Sequence, residues 1–249
     1  MSQMKKALCL ILVLVLTCAL MPAALAEYEP PVYEATEGTP YGIPLPTSVD
    51  DIDFAAVING HTYRRLLDLV DNIEVKSDMH QDAQGQTFDM LIDDYYFLDN
   101  GQYVSYSEQT DKTYNSMSYQ LFLYDKDDPY YYVRHMGGRD KFEAQAEYID
   151  MMLDNTLCPL SPNFFDFNVT SAEEVDGLYV YAFEMTPRTD LGEDVNITVS
   201  YSDCSLKVDP ATGLIRGFGY DQVSQYGEQI ISAEVNYNVD KEPDYSIKY

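Results

Sequence analysis

Residues 195–220 read VNITVSYSDCSLKVDPATGLIRGFGY, and the apolar phase changes within them. Ile197, Val199 and Tyr201 hold odd positions, whereas Cys204, Leu206 and Val208 hold even ones. An unbroken strand would therefore turn its apolar side over half-way along. One extra residue near Ser202-Asp203 restores a single apolar face, and such a bulge bends the strand. Asp209-Pro210-Ala211-Thr212-Gly213 then turns the chain into Leu214 to Tyr220. A strand this long, bulged and returned by a tight turn, predicts a strongly curved antiparallel sheet.

The flanking sequence extends that sheet. Downstream, Ile231, Ala233, Val235, Tyr237 and Val239 alternate with Ser232, Glu234, Asn236 and Asn238, the period of a half-buried strand. Upstream, Leu178 to Met185 reads as another. In the first half, Ile73, Val75 and Met79 alternate with acids and Lys76, a polar turn spans 82–85, and Phe88, Met90 and Ile92 alternate again. Asp99-Asn100-Gly101 joins Tyr95–Leu98 to Gln102–Ser107 through residues that tolerate positive φ. With Tyr119–Leu123 and Tyr130–Val133 this makes a meander of about five strands. Two segments have helical period instead: His61 to Asn72, with Tyr63, Leu66, Leu67 and Val70 on one side, and Asp140 to Asn155, with Phe142, Ala146, Ile149, Met152 and Leu153. The fold class is α+β.

Residues 1–26 carry Lys5 and Lys6, an apolar run from Ala7 to Leu20, and Ala24-Leu25-Ala26, the pattern of a cleaved secretory signal. Leu16-Thr17-Cys18 leaves a lipidated N-terminus as the alternative. Residues 27–50, with Pro30, Pro31, Pro40, Pro44 and Pro46 and no apolar period, predict a flexible spacer. The domain is expected over 51–249, secreted or in a bacterial cell envelope, and not membrane-spanning once the signal is gone. Cys158 and Cys204 then remain, either as one disulfide or as two buried thiols.

The 249 residues hold 15 Lys+Arg against 42 Asp+Glu, a net charge of −27, with 46% hydrophobic residues. That is enough apolar content for a core, and a polyanion with no run of Lys and Arg lacks the main source of affinity for a phosphate backbone. DNA and RNA partners are excluded on this ground. Gly-x-Ser-x-Gly, His-Glu-x-x-His, Gly-Lys-Ser/Thr and Gly-x-Gly-x-x-Gly are absent, so no enzyme and no cofactor is expected. His61, His80 and His135 are not at ligand spacing and read as surface or strand-edge residues. Asp93-Asp94, Asp127-Asp128 and Glu173-Glu174 are pairs of the kind a glycosidase uses, though common in so acidic a chain. Asp125 to Pro129 lacks the glycine and terminal glutamate of a calcium loop. The unusual feature is 23 Tyr and 10 Phe with no Trp, on both faces of the expected strands. Such rings fill a core, line an amphipathic pocket or make an adhesive surface.

The order of elements resembles the lipoprotein-carrier fold of bacterial envelopes, the LolA-like and LppX-like families. The resemblance runs from about Ile58 to Val239 and rests on Asn72-Ile73-Glu74-Val75-Lys76, on Asp99-Asn100-Gly101-Gln102-Tyr103, and on Leu206 to Ile215 around the Asp209-Pro210 turn. It implies an unclosed half-barrel whose concave face is covered by two or more helices and shelters a lipid or an acylated polypeptide. On that reading the protein is a non-enzymatic carrier of an apolar ligand, with another envelope protein as a further partner. The cavity residues chosen by strand face are Met90, Ile92, Leu121, Leu123, Met152, Val180, Ile197 and Val199. The competing expectation is a tyrosine-rich extracellular adhesive or protein-binding module.

Overall fold

The computed structural model describes residue 39 and residues 41–83, 85–124, 130–135, 138–143, 152–162, 164–188, 199–225 and 227–240. Two short helices, α1 (Phe54–Asn59) and α2 (Tyr63–Leu67), precede β1 (Asn72–Ala83), β2 (Gln86–Asp99), β3 (Gln102–Asp111), β4 (Ser116–Tyr124), β5 (Tyr130–His135) and β6 (Gly138–Glu143). Then follow β7 (Phe165–Val175), β8 (Leu178–Pro187), β9 (Ser200–Val208), β10 (Ile215–Ser224) and β11 (Gly227–Tyr237). All eleven lie in one antiparallel sheet of order β6-β5-β4-β3-β2-β1-β11-β10-β9-β8-β7. The sheet is not closed, since β6 and β7 stand at its two ends.

The turns account for most of this order. Asn100-Gly101 and Asp176-Gly177 both have positive φ at both residues, the geometry of the two-residue hairpin turn whose twist matches its strands. Between β9 and β10 the pairing passes from Gly219 opposite Ser205 to Asp221 opposite Ser202, so β9 carries one extra residue, and Asp203 has φ 48°. This is the bulge that the change of apolar phase requires.

Both faces of the sheet are apolar over part of their area. Directly opposed residues of antiparallel strands share a face. One face, on which α1 and α2 pack, holds Ile73, Val75, Tyr181, Phe183, Leu206, Phe218, Ala233 and Val235 with Phe54, Val57, Ile58, Leu66 and Leu67. The other carries a separate cluster of Tyr95, Val104, Tyr106, Leu121 and Tyr132.

Four expectations change. First, the packed region begins before Asp51. Ile43 is fully buried in the main core, wedged against Gly60 and Gly213, and its burial contributes about 2 kcal/mol. Second, the helix expected over 61–72 ends at Leu67, and a separate α1 precedes it, because Asp53 and Thr62 each cap a new helix start. Third, the helix expected over 140–155 is a strand in its first part: β6 pairs with β5 over Gly138–Glu143, where Phe142 packs on Tyr131 at 5.8 Å. Among the described residues of that span, only 152–154 are helical. Fourth, β7 lies where no strand was expected, since an edge strand exposed over most of its length has no apolar alternation.

Of the two readings left open for the cysteines the structure shows one, and among the histidines His61 departs from expectation. Cys158 and Cys204 are buried free thiols, not a disulfide, and burial raises their pKa to about 12 and about 11. His61 is not a surface residue: it is fully buried between the helices and β10. His80 sits on β1 with Nδ1 2.6 Å from Asp89 on β2, while Asp82 is 4.0 Å away. The His135 side chain, the Asp125 to Pro129 turn and Asp127-Asp128 lie outside what is described.

Candidate functional site

A row of directly paired residues crosses the helix-bearing face: Tyr237, Ile73, Tyr96, Ser105, Phe122, Tyr131 and Phe142, one from each strand from β11 through β1 to β6. Five of the seven are aromatic, and the small Ser105 interrupts them between Tyr96 and Phe122. A gap is the steric consequence. Above it stand Tyr63 and Leu67 of α2 with Met152 and Leu153, which close a slot of about 20 Å³ whose lining is almost wholly apolar.

The walls are held from both sides. Tyr63 stacks on Tyr96 at 4.1 Å and Phe122 on Tyr131 at 4.2 Å, so the floor on either side of Ser105 is fixed by ring contacts. The roof is one linked unit. The Thr62 and Thr156 backbones form an isolated bridge, Tyr63 N–H donates to the Asn155 carbonyl at 3.2 Å, and Arg64 Nε donates to Asp154 Oδ1 at 2.7 Å. Arg64 also lies 5.8 Å over the Tyr103 ring.

The slot's polar atoms are neutral or internally bonded. The Tyr96 hydroxyl is hydrogen-bonded to those of Ser105 and Tyr63, and burial holds both phenols far above their usual pKa. One pairing step along β2, on the same face, Asp94 lies opposite Val75 and Ser107. Burial of its carboxyl pushes its pKa up to about 6, against the Ser107 hydroxyl that stabilises the ionised form.

The opposite face holds a different constellation. Glu74 is 3% exposed and accepts from Tyr95 Oη at 2.8 Å, Lys76 Nζ at 2.8 Å and Asn236 Nδ2 at 3.1 Å, with Asp93 Oδ2 2.9 Å from the same Tyr95 oxygen. Burial pushes the Glu74 carboxyl up, but these donors outweigh it and hold the pKa below its usual value. Glu74 therefore stays ionised and is a poor proton donor. The adjacent acids Asp93-Asp94 and Glu173-Glu174 do not converge, because neighbours along a strand point to opposite faces.

Of the residues chosen by strand face, Met152 lines the slot. Met90 and Ile92 are on the helix-bearing face but further along β2, opposite Met79 and Ser77. Leu121 and Leu123 belong to the second cluster on the other face, and Val180 is on that face opposite Lys207. Val199 is half-buried just before β9, and Ile197 is outside the described residues. Tyr63, Leu67, Tyr96, Ser105 and Phe122 were not singled out. Their signal is a cross-strand register, which only the pairing of β2, β3 and β4 reveals.

Among the described residues no three metal-ligating side chains cluster, and no helix is long and apolar enough to cross a membrane. No family model matches the chain, and no curated protein matches it. Similar solved structures exist. A DUF1329 family protein from Desulfovibrio piger is 15% identical, with a TM-score of 0.32 over 73% of this chain and 92% of its own. A domain from Vibrio parahaemolyticus, described as an outer membrane lipoprotein-sorting protein domain, is 8% identical, with a TM-score of 0.31 over 70% of this chain and 88% of its own. Likenesses this loose bear no functional inference, which has to come from the slot itself.

Proposed function

We propose that this protein is an exported, non-enzymatic carrier that holds the apolar chain of a lipid or acylated polypeptide between α2, residues 152–154 and the sheet. On this reading residues 1–26 are removed on export. The observation that carries the proposal is the slot at Ser105, almost wholly apolar in its lining and roofed by a linked unit rather than by the sheet's own strands. A volume of about 20 Å³ admits one or two water-sized groups. An alkyl chain enters only if Met152 and Leu153 part from Tyr96 and Phe122, a movement that leaves the stacked floor intact. The unbranched side chain of Met152 is suited to this, since it repacks at low cost.

Substituting Ser105→Phe tests the site. The new ring fills the gap between Tyr96 and Phe122, so binding of a fluorescent fatty acid should be lost while circular dichroism and melting behaviour stay those of a folded protein. A folded S105F that binds the fatty acid as the parent does overturns the assignment of the slot.

A further inference from the structure

Next to the slot the helix-bearing face turns polar. On β2, Asp94 stands two residues from Tyr96, about 7 Å along the strand, and on β3 Ser107 stands two from Ser105. Asp94 and Ser107 are directly paired, and Gln120 on β4 follows Ser107 in the same row. Behind them runs a chain of hydrogen bonds. Ser118 Oγ donates to Gln109 Oε1 and Gln109 Nε2 to Ser107 Oγ, each at 3.4 Å, and the Ser107 hydroxyl donates to the Asp94 carboxylate. Every donor in this chain is turned towards Asp94, which favours its charged form. The cations of α2 and β10 are engaged: Arg64 with Asp154, Arg65 with the Gly60 carbonyl and Arg216 with Asp209. The charge of Asp94 also reaches the phenols of Tyr63 and Tyr96, both of which line the slot.

An apolar slot that adjoins a carboxylate suits a ligand with two unlike ends. We propose that Asp94 anchors the ligand's head group and that the ligand is an amphiphile of one alkyl chain ending in a primary ammonium group, its chain between Met152 and Phe122 and its nitrogen on the Asp94 carboxylate. The inference rests on the slot being the binding site. Charge selects the head group. Burial disfavours the ionised carboxyl, and Asp93 on the other face adds to this, with the Ser107 hydroxyl acting against them. An ammonium supplies the opposite charge, and three donors for carboxylate lone pairs that one hydroxyl does not fill. A carboxylate or phosphate head would instead set like charges together where water screens them little. The net charge of −27 draws cations towards the protein and anions away from it. An acid held ionised against desolvation beside a cavity is also where binding function concentrates.

The test is displacement of a fluorescent fatty acid from the protein, purified after export, by dodecylamine, dodecanol and dodecanoic acid at pH 7.5. At this pH the Asp94 carboxyl, raised to about 6, is ionised and the amine carries its proton. The three share one chain, so the ratio of their half-displacing concentrations isolates the head group whatever the affinity of the probe. Dodecylamine should be about tenfold or more effective than dodecanol, and the isosteric Asp94→Asn should reduce that ratio by about the same factor. Glu173→Gln removes an equal charge from the exposed edge strand β7 and should leave the ratio unchanged, which separates Asp94 from the general attraction of a polyanion for cations. Equal displacement by all three, none by any of them, a preference for the acid, or a preference for the amine undiminished in Asp94→Asn overturns the proposal and leaves the slot standing. Failure of the probe itself to bind would overturn the slot and this inference with it.

Discussion

His61 Nε2 accepts the backbone N–H of Ile215 at 3.0 Å, while its Nδ1 donates to the Val57 carbonyl at 2.6 Å. One neutral imidazole thus joins α1 to the first residue of β10, across 154 positions of sequence. Both bonds require the tautomer with hydrogen on Nδ1, and protonating Nε2 would set two donors against each other.

The consequence is a loss of stability in mild acid. Burial, with Arg65 nearby, lowers the His61 pKa from 6.5 to about 4. The unfolded chain therefore takes up a proton that the folded one refuses, and stability falls as pH drops from about 6.5 towards 4. Between pH 7 and pH 5 the loss from this group is about 2 kcal/mol, read as a shift of the urea midpoint. The His61→Gln variant should be less stable at pH 7 and lack this part of the pH dependence.

Asp94 acts in the opposite direction. Its folded pKa is raised from 3.8 to about 6, so its contribution is fully favourable below 3.8 and is lost as pH rises through 6. Asp94→Asn should raise stability at pH 7 by about 2 kcal/mol, and the gain should vanish near pH 4. A variant less stable than the parent at pH 7 would show that the ionised carboxylate is needed where it stands.

Gly213 has φ 75°, and a Cβ there would lie 3.0 Å from Ile43 Cγ2. Gly213→Ala combines a strained backbone with a collision in the core, for an expected loss of about 2 kcal/mol by thermal or urea unfolding. Truncating Ile43 to Ala in the same background should cost less than in the parent, since the two effects share one contact.

The two thiols are buried and their pKa values are high. Cys158 and Cys204 should not react with an aromatic disulfide reagent in the native protein at pH 8, and both should react when urea is added without reductant. Failure to react in urea would mean that the exported protein carries them as a disulfide.

What the sequence makes legible here is local. The Asn100-Gly101 turn, the Asp209 to Gly213 return and the bulge at Asp203 are written in residues that tolerate positive φ or in a change of apolar phase, and each needs only its own neighbours to be read. The edge strands are harder. Both β6 and β7 are exposed over most of their length, so neither shows the alternation that burial imposes. The slot is harder still. Leu121 and Phe122 are adjacent and apolar, one in the second cluster and the other lining the slot on the opposite face, and alternation cannot tell which face the helices cover. The gap at Ser105 exists because of what β2 and β4 place beside it. Similarly, Asp94 and Ser107 become neighbours only through the β2–β3 register.

The most direct test of the central claim is native mass spectrometry of the protein purified after export from a bacterial host, repeated after denaturation. The account predicts a native mass above that of the polypeptide, with the excess released as lipid on denaturation and absent from Ser105→Phe. A polypeptide mass alone, in a preparation that also fails to take up added fatty acid, would contradict it and favour a protein-binding role for the tyrosine-rich surfaces.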